Sequence, residues 1–224
     1  MPEKEQTELP FIFIGIPTVR DWKKNFGTSM LALISHLYHL HSIGKIANFM
    51  VRCQCSSLLP LGRQIILDDA IKNGCTHILW IDDDTDFHPK AFDYMLSRDL
   101  DYVAANLIKK QFPITPTAQG VDGKIISSEG KTGIEEVAWL GLAFCLMKTK
   151  ILEGMTRPHF GVTYCQESGE YVGEDTFLCE KIHDKGIKLY VDHDASNLCG
   201  HIGDFSYRYP AAIKMVKTET EEAA

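Results

Sequence analysis

Three consecutive aspartates follow a short apolar segment near the middle of the sequence. Residues 78–87 read ILWIDDDTDF, so that Asp82, Asp83 and Asp84 come directly after Ile81 and Asp86 follows one residue later. Adjacent carboxylates repel one another unless they are protonated or bridged by a cation. In extended backbone, Asp82 and Asp84 point to one side and Asp83 to the other. Two carboxylates on one side suit Mg²⁺ or Mn²⁺ that also binds the phosphate oxygens of a nucleotide.

Three other kinds of acidic segment fit these aspartates less well than a site for a divalent metal and a nucleotide. An acidic loop before a helix accounts for one carboxylate near the positive helix terminus, but not for three in a row. An EF-hand loop that begins at Asp82 requires Gly at its sixth position and Glu at its twelfth, where the sequence has Phe87 and Asp93. A phosphatase motif of the D-x-D-x-T or D-x-D-x-V type has Thr or Val at its fifth position, where the sequence has Asp86. A divalent metal site is the leading hypothesis, and the phosphatase motif is a minor alternative.

A second group of candidate residues lies later in the sequence. Glu174 and Asp175 stand at the start of a predicted helix, and His201 lies between two glycines in the segment GHIG. Acidic residues are common at helix starts without any catalytic role, because they favour the positive end of the helix dipole. Taken singly, these residues indicate no chemistry, and they gain weight only together with the aspartates.

The first half of the sequence alternates between strand and helix patterns. Short apolar runs predict strands, and turn or capping residues bound the helices between them. This alternation predicts βαβ units and a parallel sheet that is buried on both faces. The predicted strands cover residues 11–19, 47–55, 77–84 and 101–108, and the predicted helices cover 28–42, 61–72 and 89–98.

The pattern changes after Lys110. We predict a hairpin with an Asp122-Gly123 turn, one long strand over residues 135–148 and a last helix over residues 174–185. The fold class is therefore α/β, with a mixed, mainly parallel central sheet flanked by helices in a Rossmann-like arrangement. We expect one domain over residues 1–215 and a disordered tail over residues 216–224.

Composition excludes several classes of protein. The chain has 224 residues, is 45% hydrophobic and carries a formal charge of -7, which disfavours a surface that attracts nucleic acid. The seven cysteines form no C-x2-C pair, which indicates reduced thiols in a cytosolic protein. The sequence contains neither a secretory signal pattern nor an apolar run of about 18 residues. We expect a cytoplasmic protein without a membrane span, in the host cytoplasm if it is encoded by a phage.

The ordered set of segments resembles the GT-A fold nucleotide-sugar glycosyltransferases, and more narrowly the small single-domain enzymes of phage and bacterial genomes. The resemblance covers residues 11–205 and rests on IPT after the first strand, GRQIILDDAI, the aspartate segment, DYVAANLIKKQFPITPTAQ, VAWLGLAFCLMK, GEDTFLCEKIHDKGIKLYVDHD and HIG. It implies a GT-A type fold in which residues 11–110 bind the nucleotide sugar and residues 111–210 face the acceptor.

The resemblance also implies roles for single residues. Asp175 matches the general base that acts on the acceptor hydroxyl, with Glu174 as its neighbour. The resemblance implies a metal ion, Mn²⁺ or Mg²⁺, with Asp82, Asp84 and His201 as its ligands. Many relatives have G-T-G-F where this chain has Gly141-Leu142-Ala143-Phe144, so the acceptor contact departs from the family pattern there. The nucleotide-sugar site is implied for Pro17, Thr18, Arg63, Asp82, Asp83, Lys109, Lys110, Trp139 and Gly141.

The implied activity is metal-dependent transfer of a sugar from a nucleoside-diphosphate sugar, preferably UDP-linked, to a hydroxyl acceptor, with inversion favoured over retention. The acceptor is open between a hydroxymethylated base of phage DNA, a glycan, a protein and a lipid. A DNA acceptor would call for a basic groove built from Lys23, Lys24, Lys109, Lys110 and Arg208. The alternatives are a metal-dependent phosphatase or nucleotidyltransferase, and a non-catalytic module that binds a nucleotide sugar.

Overall fold

The computed structural model describes residues 8–19, 21–111, 113–167 and 169–203, together with the backbone of residues 206–207. Arg208 and the tail over residues 216–224 lie outside the described residues.

Strands and helices alternate in the first half of the chain and strands dominate the second half. The first half contains β1 (Phe11–Thr18), α1 (Lys24–Ser42), β2 (Asn48–Cys55), α2 (Leu59–Lys72), β3 (His77–Ile81), β4 (Thr85–Phe87), α3 (Lys90–Ser97) and β5 (Tyr102–Ala104). The second half contains β6 (Gln119–Gly120), β7 (Ile134–Trp139), β8 (Phe144–Lys148), a 3-10 turn (Thr149–Leu152), β9 (Thr163–Cys165), β10 (Glu170–Val172), α4 (Glu174–His183), β11 (Leu189–Asp192), α5 (His193–Ser196), β12 (Cys199–Ile202) and β13 (Ser206–Tyr207).

The described strands form one large sheet and two small ones. The large sheet has eight strands in the order β2-β1-β3-β8-β5-β11-β7-β6. Three neighbouring pairs, β1 with β2, β1 with β3 and β5 with β11, are parallel, and the other pairs are antiparallel. The predicted α/β class with a mixed sheet is confirmed, with more antiparallel pairing than the sequence indicated. β4, β12 and β13 form a small antiparallel sheet, and β9 pairs with β10 in a separate hairpin.

Alternate residues of the central strands face two separate apolar layers. Phe13 and Trp80 belong to the layer beneath α2 and α4, whereas Ile14 and Leu79 belong to the layer beneath α1 and α3. Because both faces are covered, the central strands are apolar at nearly every position. This burial fixes where β1 and β3 end, and their carboxyl ends carry the polar residues of the candidate site.

Several sequence predictions need correction. β3 ends at Ile81, and the next residues form a turn in which the Thr85 amide donates to the Asp82 carbonyl at 3.1 Å. Asp82 and Asp84 therefore do not share one side of an extended strand. The long strand predicted over residues 135–148 is two strands, β7 and β8, which are not neighbours in the sheet. Only Leu140, Gly141, Leu142 and Ala143 separate them, and their apolar composition hides the break.

The ends of two other elements also differ from their predicted positions. α1 begins at Lys24, one turn before the predicted start at residue 28. The hydroxyl of Ser29 does not cap the helix but faces inward, where it accepts a hydrogen bond from the backbone amide of Phe87 at 3.0 Å. The last strand of the first half covers only Tyr102–Ala104. The predicted Asp122-Gly123 turn is present, with Gly123 at a φ of 82° in the left-handed region.

Candidate active site

A buried arginine joins the aspartate segment to the acidic pair. Arg63 lies on the second turn of α2, and its Nη2 donates to Asp82 Oδ1 at 2.9 Å. Its Nε donates to Glu174 Oε1, at the start of α4, at 3.1 Å. Asp82 and Glu174 are far apart in the sequence, so this one side chain brings two of the predicted motifs together.

The environment of Arg63 is unusual for a charged residue. Its side chain is only 2% exposed, and its guanidinium lies 5.5 Å from the centre of the Trp80 ring. Burial lowers the pKa of Arg63, but the carboxylates of Asp82 and Glu174 raise it by more, so the guanidinium is cationic. Arg63 Nη1 and Trp80 Nε1 are both buried and make no hydrogen bond within the described structure. Two donors without acceptors thus lie beneath the candidate site.

The second aspartate is held by the end of β1. The Thr18 hydroxyl donates to Asp83 Oδ2. Burial raises the pKa of Asp83, and this effect exceeds the lowering by the Thr18 hydrogen bond. Pro17 precedes Thr18 on β1, in register with Gln54 of β2. The structure therefore places Pro17, Thr18 and Asp83 at the carboxyl ends of adjacent strands, where ligands of α/β sheets bind.

The third aspartate meets a lysine and a histidine. Lys110 Nζ forms an ion pair with Asp84 Oδ2, and His201 Nε2 lies 3.4 Å from Asp84 Oδ1. The Asp84 side chain is 29% exposed, and its partial burial raises its pKa, but the hydrogen bonds from His201 and Lys110 outweigh this and lower it to about 2. Asp84 is therefore a carboxylate throughout the ordinary pH range.

Strand pairing positions the histidine. β12 lies antiparallel to β4 with His201 opposite Thr85, and the Ile202 amide donates to the Asp84 carbonyl at 2.6 Å. His201 Nδ1 lies 2.8 Å from the carbonyl oxygen of Ile108, which can only accept, so Nδ1 carries a proton. Nε2 therefore donates to Asp84 only when the ring is an imidazolium, and in the neutral ring its lone pair is free for a metal ion. A histidine that binds a metal ion usually donates a hydrogen bond from its other ring nitrogen to a carbonyl or carboxylate oxygen, which fixes the orientation of the ring.

The predicted metal ligands are only partly brought together. Asp84 and His201 converge, whereas Asp82 is engaged by Arg63. Across the described ranges, no group of three His, Cys, Asp or Glu side chains is arranged to hold a metal ion. One carboxylate oxygen and one imidazole nitrogen suit Mn²⁺, and two protein ligands suit a cation that shares its remaining positions with phosphate oxygens and water. Asp84 and His201 therefore fit a metal bound together with a nucleotide.

The two residues of the acidic pair face different partners. Glu174 forms an ion pair with Arg63, whose Nε lies 3.1 Å from Glu174 Oε1. Asp175 Oδ1 accepts the Thr176 amide at 2.7 Å, and a Cβ added to Gly141 would lie 3.6 Å from Asp175 Oδ2. Asp175, at the start of α4, is therefore a neighbour of Gly141, which lies in the segment between β7 and β8. The sequence predicted both residues to belong to the site.

The remaining predicted residues lie around this centre. Lys109 is half-buried, and its backbone amide donates to the Thr115 carbonyl at 2.8 Å. Trp139 pairs with Gln119 at the edge of the large sheet and packs against the core. Lys23 and Lys24 are exposed at the start of α1. Because Lys110 is neutralised by Asp84, the described residues give no support for the basic groove that a DNA acceptor would require.

Sequence reasoning missed the ion pairs of Arg63, although a signal was present. Ile66, Leu67 and Ala70 form the buried face of α2, and Arg63 precedes them by three to seven positions. Helical periodicity therefore places Arg63 on that buried face. Buried arginines are paired almost without exception, so the sequence calls for carboxylates nearby.

Comparison with known proteins gives a likeness in fold. No family model matches the chain, and no curated protein matches it. Among solved structures 157 chains match. One is A197 from STIV, with a TM-score of 0.52 and 15% sequence identity over 87% of this chain and 86% of that one. This similarity supports the mixed α/β fold and says nothing about activity. Within the described residues, no helix is long and apolar enough to cross a membrane.

Proposed function

We propose that this protein is a glycosyltransferase that moves a sugar from a nucleoside-diphosphate sugar, preferably UDP-linked, to a hydroxyl group. The observation that carries the proposal is the convergence of Asp84, His201 and Lys110 at the end of the central sheet. A carboxylate, an imidazole and an ammonium group are what a metal-bound diphosphate requires. The carboxylate of Asp175, beside Gly141, supports transfer to an acceptor.

The donor side of the site handles negative charge. Asp84 and His201 would hold Mn²⁺ or Mg²⁺, which neutralises the charge that develops on the departing diphosphate. Lys110 can exchange its contact with Asp84 for a phosphate oxygen, since its ammonium group is a mobile point charge. Lys109 is next to it in the sequence and adds a second cation on the same segment. Thr18 and Asp83 offer a hydroxyl and a carboxyl to the ribose or base.

The acceptor side of the site handles the proton. Asp175 takes the proton of the acceptor hydroxyl while that oxygen bonds to the anomeric carbon and the bond to the diphosphate breaks. Arg63 forms an ion pair with Glu174, whereas the carboxylate of Asp175 faces Gly141 and is the one proposed to take the proton. If Asp175 acts on the face opposite the diphosphate, the anomeric configuration inverts, which is the outcome we favour.

A panel of nucleotide sugars tests the proposal. Thermal unfolding is followed with each donor in the presence of Mn²⁺, Mg²⁺ or EDTA, because a ligand that binds only the folded protein raises its apparent stability. We expect a metal-dependent rise in Tm with at least one nucleoside-diphosphate sugar. Asp84→Asn and His201→Ala should abolish the metal dependence, and Arg157→Met, a change at an exposed surface arginine, should preserve it. Stabilisation by no donor with either metal would refute the proposal.

Product analysis separates transfer from the rival reactions. Transfer releases a free nucleoside diphosphate and forms a sugar adduct, nucleotidyl transfer releases pyrophosphate, and a phosphatase releases inorganic phosphate. Asp175→Asn should keep the donor-induced rise in Tm and lower the transfer rate by at least a factor of about 10². An Asp175→Asn protein with a near-normal rate would remove Asp175 from the role of base. A protein that binds the donor but forms no product with any acceptor would be a binding module.

A further inference from the structure

The large sheet ends in two edge strands of very different kinds. β2 is the first strand of the order and β6 is the last. β6 has only two residues, its pairing with β7 contains a register shift, and the charged side chains of Asp122 and Lys124 follow it. Short length, irregular pairing and charge are features by which edge strands avoid pairing with other chains. The β6 edge is therefore protected against a further strand.

The β2 edge has none of these features. Its eight residues pair with β1 from Asn48 to Cys55 without a shift, and it contains no proline. Its one charged side chain, Arg52, forms an ion pair with Asp69 of α2 and so lies on the α2 face of the sheet. Within the described residues no strand pairs with the outer side of β2, where backbone N–H and C=O groups face outward. The partner that matches such a row of groups is another β-strand.

The face of β2 toward α1 is apolar and open. The Phe49 ring contacts the ring of Tyr38 on α1 edge-on, with centroids 4.9 Å apart. Because side chains of a strand alternate between the two faces, Val51 and Cys53 share this face with Phe49. Val51 is 44% exposed, and Cys53 is exposed as well.

The apolar surface continues along α1. Leu31 lies about two turns before Tyr38 on the same side of the helix, and these side chains are 76% and 64% exposed. Trp22, which precedes α1, is 44% exposed, and its indole N–H donates to the Cys53 sulfur. Several exposed aromatic and aliphatic side chains along one edge form a patch typical of a protein interface.

We propose that the protein forms a dimer in which the β2 strands of two copies pair antiparallel and join the two eight-stranded sheets into one. A two-fold axis makes this interface self-complementary, because each copy offers the same strand and the same apolar surface to the other. With the axis at Val51, Val51 faces the partner's Val51 and Phe49 faces the partner's Cys53, so apolar side chains meet. An axis at Arg52 would place two like charges opposite each other, which destabilises a strand pair.

Light scattering after size-exclusion chromatography tests the assembly. We expect a dimer of twice the 25.2 kDa of one chain. Val51→Lys places two ammonium groups at the axis and should raise the Kd of the dimer by a factor of at least about 10², since opposed like charges at an interface cost several kcal/mol. Far-UV circular dichroism should stay unchanged, because Val51 is partly exposed in a single copy. Val121→Lys is the matched control: Val121 is 68% exposed beside the β6 edge, and this variant should remain a dimer.

Disulfide formation tests the register. In a protein that carries Cys53→Ser and Cys55→Ser, Val51→Cys brings two thiols together at the axis. Facing residues of antiparallel strands have Cα atoms about 4.5–5.5 Å apart, within reach of a disulfide, so oxidation should give a covalent dimer on a non-reducing gel. Met50→Cys is the control, because Met50 would face the partner's Arg52 and the two new thiols would lie about 7–8 Å apart on a diagonal.

The outcomes also separate this inference from the proposed function. A monomer at every concentration from about 1 µM to 1 mM would overturn the inference, since interfaces of standard size bind at least this tightly. A dimer that Val51→Lys leaves intact would do the same, because β2 would then lie outside the interface. If a monomer became a dimer only on removal of residues 208–224, a segment of the same chain would cover β2, and the inference would again be wrong.

β2 contributes none of the residues proposed for sugar transfer. Val51→Lys should therefore keep the metal-dependent rise in Tm with a nucleotide sugar, and the failure of either proposal leaves the other standing.

Discussion

Replacing Arg63 with methionine is expected to destabilise the protein by about 3 kcal/mol. Methionine keeps an unbranched apolar stem but removes the cation that Asp82 and Glu174 share. Removing one partner of a buried ion pair costs roughly 3–5 kcal/mol, because the remaining charge is left uncompensated. The two carboxylates are 28% and 14% exposed and keep some hydration, which places the expected loss at the lower end of that range.

Chemical and thermal unfolding measure this loss. A change of about 3 kcal/mol corresponds to a fall in Tm of roughly 6–12 °C for a chain of this size. In urea, the midpoint should fall while the slope m stays constant, because the surface exposed on unfolding is unchanged. Arg157→Met is the matched control: Arg157 also contacts a carboxylate, that of Asp68, but it is 62% exposed. Its loss should be below about 1 kcal/mol.

A double variant tests the cause. In Arg63→Met combined with Glu174→Gln, one of the two unpaired carboxylates is gone, so part of the lost stability should return. If Arg63→Met were no less stable than Arg157→Met, the arginine would not join the two acidic segments in solution. Arg63 would then not be the residue around which the site assembles.

Three further predictions concern packing, protonation and thiol access. Gly15→Ala should lower the free energy of unfolding by about 1–3 kcal/mol, because the added methyl would lie 2.5 Å from an isoleucine of α2. Gly27→Ala adds its methyl to open space and should be neutral or stabilising. Thermal unfolding of the two variants measures the difference. Burial lowers the pKa of His77 from 6.5 to about 4, so the unfolded chain binds the proton first. Stability should therefore fall between pH 6.5 and pH 4 by roughly 2–3 kcal/mol more than in His77→Gln, and urea titrations that show equal pH dependence would contradict this. Exposed Cys55 should react rapidly with a thiol reagent, while buried Cys145, whose pKa burial raises, should react only as the protein unfolds, as mass spectrometry of labelled peptides can show.

The sequence was most informative where burial is simple. β1 and β3 are short apolar runs buried on both faces, and the aspartates follow β3 directly, as expected. The turn at Asp82 was missed because the aspartates were assigned to an extended strand, although aspartate is itself a common turn residue. The break between β7 and β8 was hidden in the same way, since its apolar residues continue the pattern of both strands.

The candidate site was predictable in its members more than in its contacts. The order of motifs indicated Asp84 and His201 as partners, and strand pairing brings them to 3.4 Å. The ion pair between Arg63 and Glu174 joins residues 111 positions apart, which local pattern cannot specify. The helical phase of Arg63 indicates only that it is buried, and the choice of Asp82 and Glu174 as partners depends on how α2 and α4 meet on the sheet.

The pairing of β12 with β4 has a consequence for biosynthesis. Asp84 emerges during translation roughly 120 residues before His201, an interval of roughly 6–24 s at ordinary elongation rates. Throughout that interval the nascent chain presents its aspartates without the imidazole and without the amide of Ile202 that accompanies it. The partners that β12 brings to Asp84 therefore reach it late in synthesis, when β12 pairs with the edge strand β4, which was made much earlier.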